Sequence, residues 1–318
     1  MTHREDLRFR AGDASLAATL SLPDADGRRP WVLLVPSWLP RDRDGAWDRE
    51  RHRAWFAPSV HDQREGLLGR VADALAERGV ASLRYDPRGC GASDGSWERS
   101  TLFTRIDDAR DAVGAMRSRA ELDLRRTAIV GHGEGAGIAL SVAIGDPAIG
   151  AVGLVGASAR SLRTVLRRGV AERARTGIDR QHPGVAALDR ASEELLERAE
   201  RGEPSLELVI GDETMTLDLA GWEQAVHTPS LALATMLHRE AVLLHGADDA
   251  WADAAESGLL ADVIADAGTA PHLTVTPGGH DLVEAPDAVI GDFAAALVAR
   301  MRPRELPPVL LAIEEMGG

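Results

Sequence analysis

Ile129-Val130-Gly131-His132-Gly133-Glu134-Gly135-Ala136-Gly137 places four glycines at alternating positions between two differently patterned segments. The residues leading into it, Thr127-Ala128-Ile129-Val130, form a short apolar run, as in a strand buried on both faces. From about Glu134 the pattern is helical. The flanking glycines permit a turn too sharp for side chains, which puts the central residue, Gly133, at positive φ. That conformation is strained for most residues and nearly free for glycine.

The strand–turn–helix rhythm continues outward in both directions. Upstream, residues 7–22 alternate around Ala11-Gly12-Asp13 and read as a β-hairpin. Trp31-Val32-Leu33-Leu34-Val35 is a strand ending at Pro36. Residues 37–62, rich in Trp, Arg and Asp without a period, read as a long loop. Leu67, Leu68, Val71 and Leu75 then recur at helical spacing, and Gly79 closes that helix. Val80-Ala81-Ser82-Leu83-Arg84-Tyr85 is a strand, residues 103–118 a helix, and Ala151-Val152-Gly153-Leu154-Val155 another strand. Strands alternating with helices of this length predict an α/β protein, a mostly parallel sheet with helices on both faces.

From about Ser158 to Leu237 the rhythm breaks into a charged, mostly helical stretch with polar interruptions at 177–183 and 202–204. It resumes with strands at 241–244 and 273–276 and a helix at 287–300. The expected organisation is a core from 1–157 and 238–303, a mainly helical cap from 158–237, and a C-terminal extension from 304–318. A cap inserted there covers the carboxyl edge of the sheet, where open α/β sheets bind ligands.

Five segments in order carry a family resemblance. The glycine-rich turn resembles the Gly-x-Ser-x-Gly nucleophile elbow of the α/β-hydrolase superfamily, with Gly133 where serine stands. Leu34-Val35-Pro36-Ser37-Trp38, followed by Arg41-Asp42-Arg43-Asp44-Gly45, is similar to the oxyanion loop of bacterial serine esterases that read Gly-Ser-Gly-Pro-x-Asp-Arg-Asp. Arg84-Tyr85-Asp86-Pro87-Arg88-Gly89-Cys90-Gly91-Ala92-Ser93 resembles that family's Asp-x-Arg-Gly-x-Gly-x-Ser turn. Leu244-His245-Gly246-Ala247-Asp248-Asp249 resembles the segment presenting the acid, which by spacing falls on Asp249; Asp248 is then a solvated loop charge or turn cap. Pro277-Gly278-Gly279-His280-Asp281 resembles the loop that carries the histidine, His280. The resemblance spans residues 5 to 300, weakest in the cap, and implies an α/β-hydrolase fold with nucleophile, acid and histidine in that order.

It also implies that the backbone N–H of Glu134, the residue after the nucleophile position, is one oxyanion donor and that the loop at Ser37 and Trp38 supplies the other. Ser37 could also face the reaction centre itself. Trp38, Trp47 and Trp55, three of the seven tryptophans, crowd the oxyanion loop; with His132 they are expected to line an apolar substrate pocket, although loop–cap packing explains the tryptophans equally well. The hydroxymethyl that glycine lacks should leave room for about one water, roughly 30 Å³.

Composition narrows the partners. The chain has 318 residues, 36 Lys and Arg against 50 Asp and Glu, and a net charge of −14. That sign disfavours nucleic acid and anionic membranes, and the basic cluster Arg163, Arg167, Arg168 has acidic neighbours. One cysteine, Cys90, excludes an internal disulfide and fits a reducing compartment. Cys90 as a substitute nucleophile is disfavoured, because its position in the resembled turn is a variable packing residue. Neither a signal peptide nor a membrane span is visible, so a soluble, cytoplasmic protein acting on a small molecule is expected, with a homo-oligomer left open. His52, His61 and Asp62 lack metal-ligand spacing, and neither metal nor cofactor is expected.

With glycine at 133 an acyl-enzyme at that residue is excluded, since losing a nucleophilic serine costs on the order of 10⁶-fold in rate. A His280–Asp249 base facing oxyanion donors suits elimination, cyclisation or other proton abstraction beside a carbonyl, which makes a lyase or cyclase the leading expectation. Three alternatives stay open: a serine esterase inactivated by Ser-to-Gly at 133, hydrolysis by directly activated water, and a non-catalytic small-molecule-binding protein.

Overall fold

The computed structural model describes residues 2–55, 66–176, 183–220, 222–227 and 229–316. Among them, eight strands form one sheet: β1 (Thr2–Ala11), β2 (Ala14–Pro23), β3 (Arg29–Val35), β4 (Ala81–Tyr85), β5 (Leu122–His132), β6 (Ile149–Val155), β9 (Glu240–Gly246) and β10 (His272–Thr276). Their order is β1-β2-β4-β3-β5-β6-β9-β10. The first pair is the expected antiparallel hairpin, β2 is antiparallel to β4, and every later pair is parallel.

The parallel strands are apolar on both faces because both are covered. Leu33, Val35 and Ile129 face one side, where α2 (Leu102–Met116), α3 (Glu134–Gly145) and α8 (Ala254–Asp266) contribute Val113, Ile138 and Leu260. Val32, Leu34 and Val130 face the other, against Leu68 and Val71 of α1 (Leu67–Ala76) and Phe293 and Leu297 of α9 (Asp287–Arg300). Thr101 caps α2 through its hydroxyl, which accepts from the N–H of Thr104, so the chain enters that helix at a fixed point.

The insertion is not helical throughout. It holds α4 (Leu162–Thr176), α5 (Pro183–Glu200), a two-stranded hairpin of β7 (Ser205–Ile210) and β8 (Glu213–Asp218), and the short helices α6 (Trp222–His227) and α7 (Ser230–Ala234). Leu206, Leu208 and Ile210 point alternately into a third apolar cluster with Trp38, Trp55, Trp97 and Leu188. Two further helices were not expected: α8, and α10 (Pro308–Met316), whose Leu310 packs with Leu124, Ala148 and Leu306. No helix among the described residues is long and apolar enough to cross a membrane.

Strand register fixes what meets at the carboxyl edge. Val35 pairs with Gly131, so the segments carrying Ser37 and Gly133 leave the sheet side by side. Gly246 pairs with Thr276, and the segments carrying Asp249 and His280 leave together in the same way.

Candidate active site

At the end of β5, Gly133 has φ +58° and ψ −120°, the sharp turn foreseen from the alternating glycines. Space as well as torsion demands glycine on either side. A β-carbon on Gly131 would lie 2.0 Å from the carbonyl oxygen of Gly135, and one on Gly135 would lie 2.5 Å from that of Pro36.

His280 and Asp249 meet as their loops leave the sheet. His280 Nδ1 lies 2.8 Å from Asp249 Oδ2. Asp249 is buried, and its Oδ1 accepts from the backbone N–H of Trp251 at 2.7 Å and of Ala252 at 3.1 Å. Asp248 is exposed and accepts only at the edge of hydrogen-bond range, from Gly278 N–H at 3.3 Å. A second histidine, His245, also reaches the acid, with Nε2 3.3 Å from Asp249 Oδ2. Its Nδ1 is held by the Ser257 hydroxyl at 2.7 Å. In the sequence His245 lies in the segment of the acid, with no motif position that marks it. Gly156, at φ +56°, leaves room for the pair, because a β-carbon there would lie 3.2 Å from His280 Nδ1.

The charges follow from these contacts. Burial alone would lower the His280 pKa, but the charge and hydrogen bond of Asp249 outweigh it and the net shift is upward. Burial opposes ionisation of Asp249, yet His280 and His245 hold its carboxyl far below the usual range. An orienting carboxylate, a histidine and an Nε2 aimed at the elbow are the parts of a general base.

The space expected at Gly133 is closed. A β-carbon on Gly133 would stand 2.7 Å from Ser37 Oγ and 2.8 Å from His280 Nε2. Hydroxyl and imidazole both crowd the point where a side chain would begin, and the open space lies in the cavity that Gly133 borders. Neither the N–H of Trp38 nor that of Glu134 meets an acceptor among the described residues. The Glu134 side chain turns to Arg105, which donates from Nη2 to Oε1 at 2.8 Å. Burial raises the pKa of Glu134 and lowers that of Arg105, each partner opposing the other's shift.

Above the corner lies a cavity of about 460 Å³ whose wall includes Ser37, Trp38, Gly133 and His280. That volume suits a small ligand, since such sites run from roughly 300 to 1,000 Å³. Three residues expected in the wall stand elsewhere. His132 is fully buried beneath His280, with ring centroids 4.6 Å apart, and donates from Nε2 to the His280 carbonyl at 3.0 Å. Burial, and after it the charge of His280, pushes its pKa down to about 3, so it is neutral. Trp47 lies under the Arg41 guanidinium, 4.1 Å from its centre. Trp55 is buried edge-on against Trp97. The cavity's other aromatic walls are Phe103, Trp222 and Trp251, which no sequence motif marks.

Asp48, His52 and Cys90 form a buried group whose polar atoms lie within 4.8 Å of one another. Its donors are engaged in loop structure. Asp48 accepts from Gly91 N–H at 2.7 Å, and His52 Nε2 lies 3.0 Å from the Gly89 carbonyl, to which its N–H donates. Burial, then the charge of Asp48, pushes the Cys90 thiol well up, and it stays protonated. His61 and Asp62 lie outside the described residues.

Comparison with known proteins follows the same lines. A family model described as Hydrolase_4, serine aminopeptidase S33, matches residues 63–287. A search of curated proteins by sequence returned no match. Est1E from Butyrivibrio proteoclasticus, solved with ferulic acid, superposes with a TM-score of 0.63 at 16% identity, over 92% of this chain and 99% of that one. The α/β hydrolase GrgF from Penicillium sp. sh18 gives 0.61 at 18% identity, over 94% and 99%. DcsB, solved with a substrate analogue, gives 0.63 at 13% identity, over 94% and 100%. At such identities the likeness shows the fold.

Proposed function

The chain belongs to the Hydrolase_4 family, serine aminopeptidase S33, and is an enzyme of the α/β-hydrolase fold; from that premise we propose that it acts on an acyl or carbonyl substrate by base catalysis rather than through a nucleophile at residue 133. His280 takes a proton beside the carbonyl, and Asp249 orients the imidazole and stabilises the imidazolium that forms. The N–H groups of Glu134 and Trp38 receive the charge that develops on the carbonyl oxygen. Elimination and cyclisation both begin with this step, and neither requires a metal or an organic cofactor.

One observation carries the reading. His280 Nε2 is 2.8 Å from the β-carbon position of a residue that has no side chain, while its Nδ1 keeps its carboxylate. A histidine in that state is a base with nothing attached to the elbow to activate. The buried Asp249 reinforces this, because a carboxylate that orients an imidazole serves proton transfer and has no evident use in a pure binding site.

The test is proton exchange. In D₂O, the wild type is expected to exchange the α-protons of a phenylacetyl thioester, followed by ¹H NMR, and His280→Ala to slow the exchange by on the order of 10²–10⁴-fold. No exchange by the wild type above buffer sinks the proposal. A second reading, a serine hydrolase disarmed at 133, draws support from the turn, which keeps φ +58° although glycine does not need it. The closeness of Ser37 and His280 to the β-carbon position counts against it.

A further inference from the structure

Among the described residues, the hydroxyl nearest the elbow position is not on the elbow but on Ser37. Ser37 Oγ lies 2.7 Å from the point where a β-carbon of residue 133 would stand, and His280 Nε2 lies 2.8 Å from the same point. Oxygen and imidazole nitrogen thus border the same point, each within 2.8 Å of it. Ser37 and His280 also both line the cavity, so a ligand seated there meets the hydroxyl and the base together. The N–H of Trp38, the residue after Ser37, and that of Glu134 are without acceptors among the described residues. An acyl-transfer nucleophile needs a hydroxyl, a base within reach and a following N–H free for the oxyanion, and these three border one point here.

We propose that Ser37 supplies the hydroxyl that Gly133 lacks, and that the enzyme accepts acyl groups on Ser37 Oγ from activated esters. In the forward step Ser37 Oγ bonds to the acyl carbon while its proton passes to His280 Nε2. The bond from acyl carbon to leaving oxygen breaks, and the leaving group departs with that proton. Water then attacks the Ser37 ester, gives a proton to His280, and Ser37 Oγ leaves carrying it back. The imidazole serves this step and the α-proton abstraction proposed above alternately. Which occurs depends on whether the ligand presents a leaving group to Ser37 or a C–H to Nε2.

Treatment of the full-length wild type with a fluorophosphonate, followed by peptide mass mapping, tests this directly. Attack by Ser37 Oγ on phosphorus expels fluoride and marks residue 37. The expected result is one adduct, on Ser37, lost in Ser37→Ala and formed on the order of 10²-fold more slowly in His280→Ala. Ser37→Cys gives a second measurement: iodoacetamide should alkylate residue 37 faster than the buried Cys90 and more slowly once His280 is removed. An unlabelled wild type, an adduct on any other serine, or labelling independent of His280 overturns the proposal. The two proposals fail separately. Exchange of α-protons without an adduct sinks only the role of Ser37, and an adduct without exchange sinks only the base-catalysed reading.

Discussion

Arg41 and Asp281 tie together the two loops that frame the reaction corner, with Nη2 2.9 Å from the carboxylate and the Arg41 side chain only 2% exposed. Arg41 also donates from Nη1 to the Gly45 carbonyl at 2.8 Å, so it holds its own loop while gripping the one that carries His280. Burial would raise the Asp281 pKa, but Arg41 and then His132 and His280 hold it down.

Arg41→Gln is therefore expected to leave a carboxylate short of its main partner. The cost is about 1–3 kcal/mol, below the roughly 3–5 for a fully buried pair, because the Asp281 side chain keeps 22% exposure. The charge of Arg41 also lowers the His280 pKa, so its loss should move the alkaline-rising limb of α-proton exchange to higher pH. Urea denaturation and a pH profile read the two effects. An unmoved limb would show that Arg41 does not act on the imidazole.

Asp249→Asn should act in the opposite sense on that limb. His280 works as a base only when unprotonated, and its pKa is raised chiefly by Asp249, so wild-type exchange rises with pH through a value above about 6.5. The variant's limb should lie lower, with the plateau rate reduced on the order of 10²–10⁴-fold because the imidazole loses its orientation. Stability follows by linkage. The depressed Asp249 contributes above its unfolded pKa of about 3.9 and is lost as pH falls; the raised His280 contributes fully below about 6.5 and is lost as pH rises through its folded value. The pair should stabilise the wild type over the variant most between those two pH values, as chemical denaturation at several pH values will read.

Side chains at residue 133 meet two obstacles. The backbone there, at φ +58°, costs a non-glycine residue about 1–3 kcal/mol, and the β-carbon would touch both Ser37 and His280. Gly133→Ala should lower the melting temperature by several degrees. Under the disarmed-hydrolase reading Gly133→Ser gains p-nitrophenyl acetate hydrolysis, and Ser37→Ala/Gly133→Ser gains more, since removing Oγ lets the new side chain settle. Equal rates in single and double variants would mean that the Ser37 contact does not limit the elbow.

The sheet was legible because its strands are buried on both faces: 31–35, 151–155 and 241–244 are apolar runs that need no partner to be recognised, 80–85 fits the same rhythm despite Ser82 and Arg84, and residues 287–300 match α9 residue for residue. Helix α8 was not, although Leu260, Val263 and Ile264 recur at helical spacing, because that signal fills little more than one turn among alanines and acidic residues. The hairpin of β7 and β8 did carry an alternating signal in Leu206, Leu208 and Ile210, overshadowed by the charged helices around it. Motif order brought His280, Asp249 and Gly133 into one corner. It gave no means to tell which tryptophans face the cavity, because that depends on how the insertion folds back over the oxyanion loop.

Trp55 and Trp222 make that distinction measurable. Trp55 is 1% exposed, and its ring lies so close over Gly184 of α5 that a β-carbon there would fall 2.3 Å from it. Trp222 packs edge-on against Trp38, with centroids 4.6 Å apart, and presents part of its surface to the cavity. Trp55→Ala should thus cost about 3–5 kcal/mol, as large-to-small changes of buried aromatics do, while leaving phenylacetyl thioester affinity within roughly threefold. Trp222→Ala should weaken that affinity about tenfold or more by removing an apolar wall. Denaturant titration and quenching of tryptophan fluorescence by the ligand read the two quantities in each variant. If Trp55→Ala weakens binding as much as Trp222→Ala does, the aromatic cluster under the insertion shapes the cavity as a unit and its division into support and wall is wrong.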